Sequence, residues 1–134
     1  MKILLDTHIA IWSIANKKML SDDIKNLIED NDNQVYYSMA SVWEVAIKNK
    51  IRPSDMPMNE QEFVELCEQT GFESLSILPE HIYMIRTLKR PEGAKKHNDP
   101  FDRMLIAQAK AEKLSFLTHD KLLSDYNESS IVLV

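Results

Sequence analysis

The chain is short of the residues that several large function classes depend on. Its single cysteine, Cys67, allows no intrachain disulfide and no cysteine-based zinc site. A reducing cytosol suits such a chain. Its only two glycines, Gly71 and Gly93, stand far apart. A phosphate-cradling loop needs several at fixed spacing, so neither a P-loop nor a dinucleotide fingerprint is available. Positive charge is also outweighed, with 16 lysines and arginines against 21 aspartates and glutamates. A net charge of −5 argues against binding nucleic acid by bulk electrostatics, although local basic groups remain possible. Nor is there a long hydrophobic run: Ile3-Leu4-Leu5 meets a charge at Asp6. That is too short for a signal-peptide core or a membrane span.

What remains fits an ordinary folded domain. At 134 residues, 44% hydrophobic and 28% charged, the chain is expected to form a single domain, residues 1–134, with a real core. Lys2–Leu5 reads as a buried strand, and His8–Ala15 as a helix. Ser21 caps a second helix, with Asp22 and Asp23 in its first turn. Gln34–Tyr37 reads as a strand, Ser38–Lys50 as a helix stopped near Pro53, and Pro53–Pro57 as a loop. Asn59 caps a helix that ends at Gly71. Phe72–Leu78 reads as a strand and Pro79–Leu88 as a helix. Lys89–Asn98 is a polar, basic loop. A strong helix follows from Asp99 to Lys113, then a strand at Ser115–Thr118, a turn or short helix to Tyr126, and a last strand at Ile131–Val134. Alternating strands and helices predict an α/β architecture around a mainly parallel sheet.

Four acids stand at the edges of apolar segments: Asp6, Glu44, Asp102 and Asp120. In open α/β sheets the ligand site lies beyond the carboxyl ends of the strands. Asp6 and Asp120 follow strands, and Glu44 and Asp102 fall early in helices, so one edge can collect all four. Gathered carboxylates repel one another and call for a hard divalent cation. Each acid also has a local explanation. Asp6 and Asp120 can cap helices. Ser41-Val-Trp-Glu44 matches a capping box, although Ser38 is an equally good cap. Asp99 is the natural cap before Pro100, leaving Asp102 for a ligand, but the two acids can exchange roles. His97 and His119 read as polar loop residues, and Trp12 and Trp43 as core. Lys89, Arg90, Lys95 and Lys96 read as a solvated face or a guide for a phosphate backbone. Arg103 can serve that second role or pair with a carboxylate.

Ile3-Leu-Leu-Asp6-Thr7-His8, Ser41-Val-Trp-Glu44-Val-Ala-Ile-Lys48, His97-Asn-Asp-Pro-Phe-Asp102-Arg-Met-Leu-Ile-Ala-Gln-Ala109 and Leu117-Thr-His-Asp120 together resemble the PIN-domain ribonucleases, and more narrowly the VapC-type toxins of bacterial toxin–antitoxin pairs. The likeness runs in order along nearly the whole chain. It implies a three-layer α/β/α fold and a Mg²⁺- or Mn²⁺-dependent endoribonuclease that hydrolyses RNA with a metal-activated water. Carried over by position, the metal-binding and catalytic acids fall on Asp6, Glu44, Asp102 and Asp120, with Thr7 and Thr118 as supporting hydroxyls. A cytoplasmic homodimer and a small antitoxin partner are further implications, with no membrane association. Two other readings stay open. One is a PIN-like module that binds RNA or protein without catalysis. The other is an aspartyl phosphatase using Asp6, although the second aspartate that such a motif needs is replaced by His8.

Overall fold

The computed structural model describes residues 1–134. Its centre is a five-stranded sheet, every neighbouring pair parallel, in the order β3-β2-β1-β4-β5. The strands are β1 (Lys2–Leu5), β2 (Gln34–Ser38), β3 (Glu73–Leu75), β4 (Ser115–Thr118) and β5 (Ile131–Leu133). Six helices connect them: α1 (Thr7–Ala15), α2 (Asp22–Glu29), α3 (Met39–Ile51), α4 (Glu60–Thr70), α5 (Pro79–Ile85) and α6 (Pro100–Glu112). Short 3₁₀ turns cover Lys17–Met19 and Lys121–Tyr126.

The central strand explains the layering. In β1, Ile3, Leu4 and Leu5 are all fully buried, as a parallel strand covered on both faces must be. Side chains alternate across a strand. Ile3 and Leu5 therefore enter one core, with Ile9 of α1, Val45 of α3 and Phe63 of α4. Leu4 enters the other, with Leu105, Ile106 and Ala109 of α6. Strand β4 divides the same way: Leu117 joins the first core and Phe116 the second. Each fully buried aliphatic or aromatic side chain of this size contributes about 1.5–3 kcal/mol. The result is the expected three-layer α/β/α arrangement around a parallel sheet.

Connectivity creates a crevice at the carboxyl edge. From β1 the chain steps outward through β2 to β3, then returns across the sheet to β4 and β5. Strands β1 and β4 are thus neighbours whose following segments leave in different directions. Such a switch point is where an open α/β sheet leaves room for a ligand.

Some boundaries depart from the sequence reading. The strand expected over Phe72–Leu78 shrinks to Glu73–Leu75, because only these residues pair with β2. Helix α5 stops at Ile85 rather than Leu88. The capping box at Ser41 does not form. Ser38 is the cap of α3, accepting from the Ala40 amide at 3.0 Å, so Glu44 lies in the second turn. Trp43 is not core: it is 59% exposed, with its ring edge-on to Phe101 at 5.1 Å. Trp12 is half-buried beside the crevice, packed partly on the core and partly against His119 at 5.3 Å.

Candidate metal centre

The crevice is a cavity of about 760 Å³ whose lining includes Asp6, Glu44, Asp99, Asp102 and Asp120. Four elements deliver these side chains. Asp6 is the first residue after β1 and the N-cap of α1; its Oδ1 accepts from the Thr7 amide at 2.7 Å. Its other oxygen accepts from the Thr118 hydroxyl, at the end of β4, at 2.6 Å. Capping and site membership therefore coexist in one carboxylate. Asp6 is nearly buried, and burial raises its pKa, with Glu44 adding to the rise against the two hydrogen bonds.

Glu44 projects from α3 and is 3% exposed. Its Oε1 lies 2.6 Å from the Thr7 hydroxyl, which also lies 2.8 Å from Ser41 Oγ. A hydroxyl has one proton. Thr7 gives its proton to the carboxylate and accepts from Ser41. The second oxygen, Oε2, accepts from Lys48 Nζ at 2.7 Å, one helical turn further on. Burial draws the Lys48 pKa down, but the bond to Glu44 and the charges of Glu44, Asp99 and Asp102 outweigh it and leave it raised.

Asp99 and Asp102 divide the work at the start of α6. Asp99 Oδ1 caps the helix, accepting from the amides of Phe101 at 2.9 Å and Asp102 at 3.1 Å. Asp102 is thereby left to face the cavity, which Asp99 also lines. Burial, then the charges of Asp6, Asp99, Glu44 and Asp120, push its carboxyl up to about 8. Asp120 caps the following 3₁₀ turn through Leu122 and still lines the cavity.

Two side chains do more at the site than the sequence suggests. His97 is not a free loop residue: its side chain is 7% exposed, and both ring nitrogens are engaged, Nε2 with Asp102 at 3.1 Å and Nδ1 with the Tyr126 hydroxyl at 2.7 Å. Burial and then Arg90 lower its pKa, despite the nearby acids. Ligand atoms of His97, Asp102 and Asp120 all come within 4.8 Å of one another. The clue in the sequence was His97 preceding the Asp99 cap by two residues. Lys48 was the other omission, legible as Glu44 plus four on one helix face. The basic loop divides. Arg90 turns inward to Asp125 at 3.1 Å, to the Lys95 carbonyl and over the Tyr126 ring at 5.3 Å, whereas Lys89, Lys95 and Lys96 stay exposed. Arg103 forms no ion pair, and its Nε is buried without a partner.

The family model of the PIN domain matches residues 3–128. The chain belongs to the PIN-domain family. Among solved structures, this PIN domain is similar to a chain of VapBC2 from Rickettsia felis, bound there to a DNA fragment from its promoter. The likeness has 16% identity and a TM-score of 0.70, and covers 100% of this chain and 98% of that one. It is also similar to a chain of FitAcB from Neisseria gonorrhoeae, at 19% identity and a TM-score of 0.56, covering 96% and 95%. At these identities the likeness is one of fold. No curated protein sequence matches the chain.

The donor set of this PIN domain fits a hard divalent cation. All five carboxylates lining the cavity offer oxygen, the ligand Mg²⁺ and Mn²⁺ prefer. Only one of them is bonded to a lysine or arginine, Glu44 to Lys48. Burial first, and then the charges of the neighbouring acids, raise the pKa of Asp102, as expected where carboxylates gather without enough cations. No helix of the chain is long and apolar enough to cross a membrane.

Proposed function

We propose that this PIN domain is a Mg²⁺- or Mn²⁺-dependent endoribonuclease of the VapC toxin type, with Asp6, Glu44, Asp102 and Asp120 as its metal-binding and catalytic acids. The observation that carries this reading is the convergence of these acids, with too few cations to balance them, at the switch point of a parallel sheet. The cation, when bound, supplies Lewis-acid polarisation of a phosphate and acidifies the attacking water. The chain's own residues do the rest. Thr118 and the Thr7 amide hold Asp6, and the Thr7 hydroxyl holds Glu44, so both carboxylates are oriented before any ligand arrives. Asp102 would meet a bound cation as a carboxylate, its proton passing to solvent, against the upward pKa shift that burial and the neighbouring acids impose. Lys48, on the cavity wall, is the group placed to meet a phosphate's negative charge.

The likeness to VapBC2 supports a partner of the antitoxin type, a small protein that binds over the acidic cavity. RNA as substrate, a homodimer and a cytoplasmic location belong to the same reading. The decisive experiment is single-turnover RNA cleavage with Mg²⁺ or Mn²⁺, comparing wild type with Asp6→Ala and Asp102→Ala. Cation-dependent cleavage lost in both variants is expected. Equal activity in the variants would refute the assignment, and a Mn²⁺ isotherm without a site would point to a non-catalytic PIN-like module.

A further inference from the structure

Beyond the four acids, one hydrogen-bonded chain runs from the cavity into the second core. Asp102 Oδ2 meets His97 Nε2 at 3.1 Å, and His97 Nδ1 meets the Tyr126 hydroxyl at 2.7 Å. The Tyr126 ring is buried, its face lies under the Arg90 guanidinium at 5.3 Å, and Arg90 is itself tied to Asp125. The partners come from two segments distant in sequence: Arg90 and His97 from the basic loop before α6, and Asp125 and Tyr126 from the 3₁₀ turn after β4. None of these bonds closes a local turn or caps a helix.

We propose that His97, fixed by Tyr126, is a positioning residue for Asp102, holding one carboxylate oxygen so that the other is presented to a cation in the cavity; this rests on the metal-centre reading above. Proton bookkeeping supports it. An Asp102 that holds a cation is ionised and only accepts, so in that state the bond requires a proton on Nε2. In a neutral ring Nδ1 is then an acceptor, and the phenol is the donor that satisfies it. The tautomer that serves Asp102 is therefore the one that Tyr126 selects. Burial raises the pKa of the Tyr126 phenol, against the Arg103 and Arg90 charges, so the hydroxyl keeps the proton it donates, and Arg90 over the ring face helps fix the ring. Hydrogen-bond partners of ligating carboxylates, when removed, typically cost about 10–100-fold in metal affinity or activity.

The test is Mn²⁺ binding by titration calorimetry on the full chain, with circular dichroism to verify folding. His97→Ala is expected to weaken Mn²⁺ binding about 10–100-fold. Tyr126→Phe keeps the buried ring and removes only the hydroxyl, and is expected to cost a smaller part of the same factor. His97→Gln, whose amide N–H can still reach Asp102, is expected to recover much of the loss. Because Tyr126 acts through His97, adding Tyr126→Phe to His97→Ala is expected to cost nothing further. Wild-type affinity in both His97→Ala and Tyr126→Phe would overturn the proposal while leaving the metal centre standing. Additive losses in the double variant would overturn it too. So would a directly coordinated nitrogen in the Mn²⁺ electron spin-echo spectrum that disappears in His97→Ala, since His97 would then be a ligand itself. Wild-type protein that takes up no Mn²⁺ would overturn both readings together.

Discussion

Two cavities of nearly equal size lie at opposite ends of the sheet. One, of about 760 Å³, opens at the carboxyl ends of β1 and β4; the other, of about 720 Å³, opens at the amino ends of β2 and β3. Their linings differ in charge. The amino-end cavity has Lys17 and Lys25 against Glu29, Asp30 and Glu73, and its Lys17–Glu29 pair at 3.6 Å is solvated on both sides. The carboxyl-end cavity has five acids against Lys48 and Lys121. Volume therefore does not distinguish the two ends. Unbalanced, partly buried charge does, because it costs stability unless a ligand repays it.

Substitution at Asp102 breaks this contrast most strongly. Asp102→Asn keeps the shape and removes one of the repelling charges. Loss of Mn²⁺ uptake and of RNA cleavage by about a hundredfold or more is expected. The same variant is expected to melt higher than wild type when both are treated with chelator near pH 8. Calorimetry and cleavage on one preparation check both. A variant that lost activity and stability together would make Asp102 a structural residue.

The pH dependence sharpens the point. An unfolded aspartate ionises near pH 4, whereas folded Asp102 holds its proton to about 8. Between those values the native state binds more protons, so chelator-treated protein loses stability as pH rises, and this contribution levels off above about pH 8. The upward shift of Asp6 acts in the same direction. His97 opposes it: its lowered pKa makes the unfolded state the better proton binder at lower pH, so stability rises there until the unfolded histidine has titrated near 6.5. The clearest window is therefore about pH 6.5–8. A falling melting temperature is expected there without cation, and a flatter profile in Asp102→Asn. A wild-type profile already flat in that window would contradict the assigned environment of Asp102.

Lys48 tests what occupies the excess charge. It is bonded to Glu44 and must yield if that carboxylate takes a cation. Lys48→Met keeps the aliphatic stem and is expected to tighten Mn²⁺ binding a few-fold, while raising the KM for RNA. A KM unchanged by the substitution would remove Lys48 from phosphate contact.

The layers and the edge were legible in the sequence because each rests on local chemistry. Apolar Ile3-Leu4-Leu5 reads as a buried strand, and Asp99-Pro100 reads as a helix start. Asp99 as the cap of α6 followed from capping rules, while which of Asp99 and Asp102 meets a ligand stayed open in the sequence. The relay was not legible. His97 and Tyr126 are 29 residues apart, and nothing in either segment demands the other. Trp43 was misread because aromatic character signals burial only on average. One helical step from Glu44, it faces outward while Glu44 faces in. The choice between Ser38 and Ser41 as cap was open in sequence, since both sit in polar–apolar contexts that a helix could start from. It closed only where β2 ends.

The amino-end cavity supplies the smallest effect and the control for all the others. Lys17 and Glu29 are both mostly exposed, and exposed pairs contribute between nothing and about 1 kcal/mol. Lys17→Ala and Glu29→Ala are each expected to change stability by no more than about 0.5 kcal/mol and to leave Mn²⁺ affinity and cleavage unaltered. Raising salt should erase even that change, because solvent and ions already screen this pair. If either substitution instead impaired cleavage as much as Lys48→Met does, then the charge imbalance at the carboxyl edge would no longer identify the working end of the sheet. The size of a cavity would have to be weighed again alongside its charge.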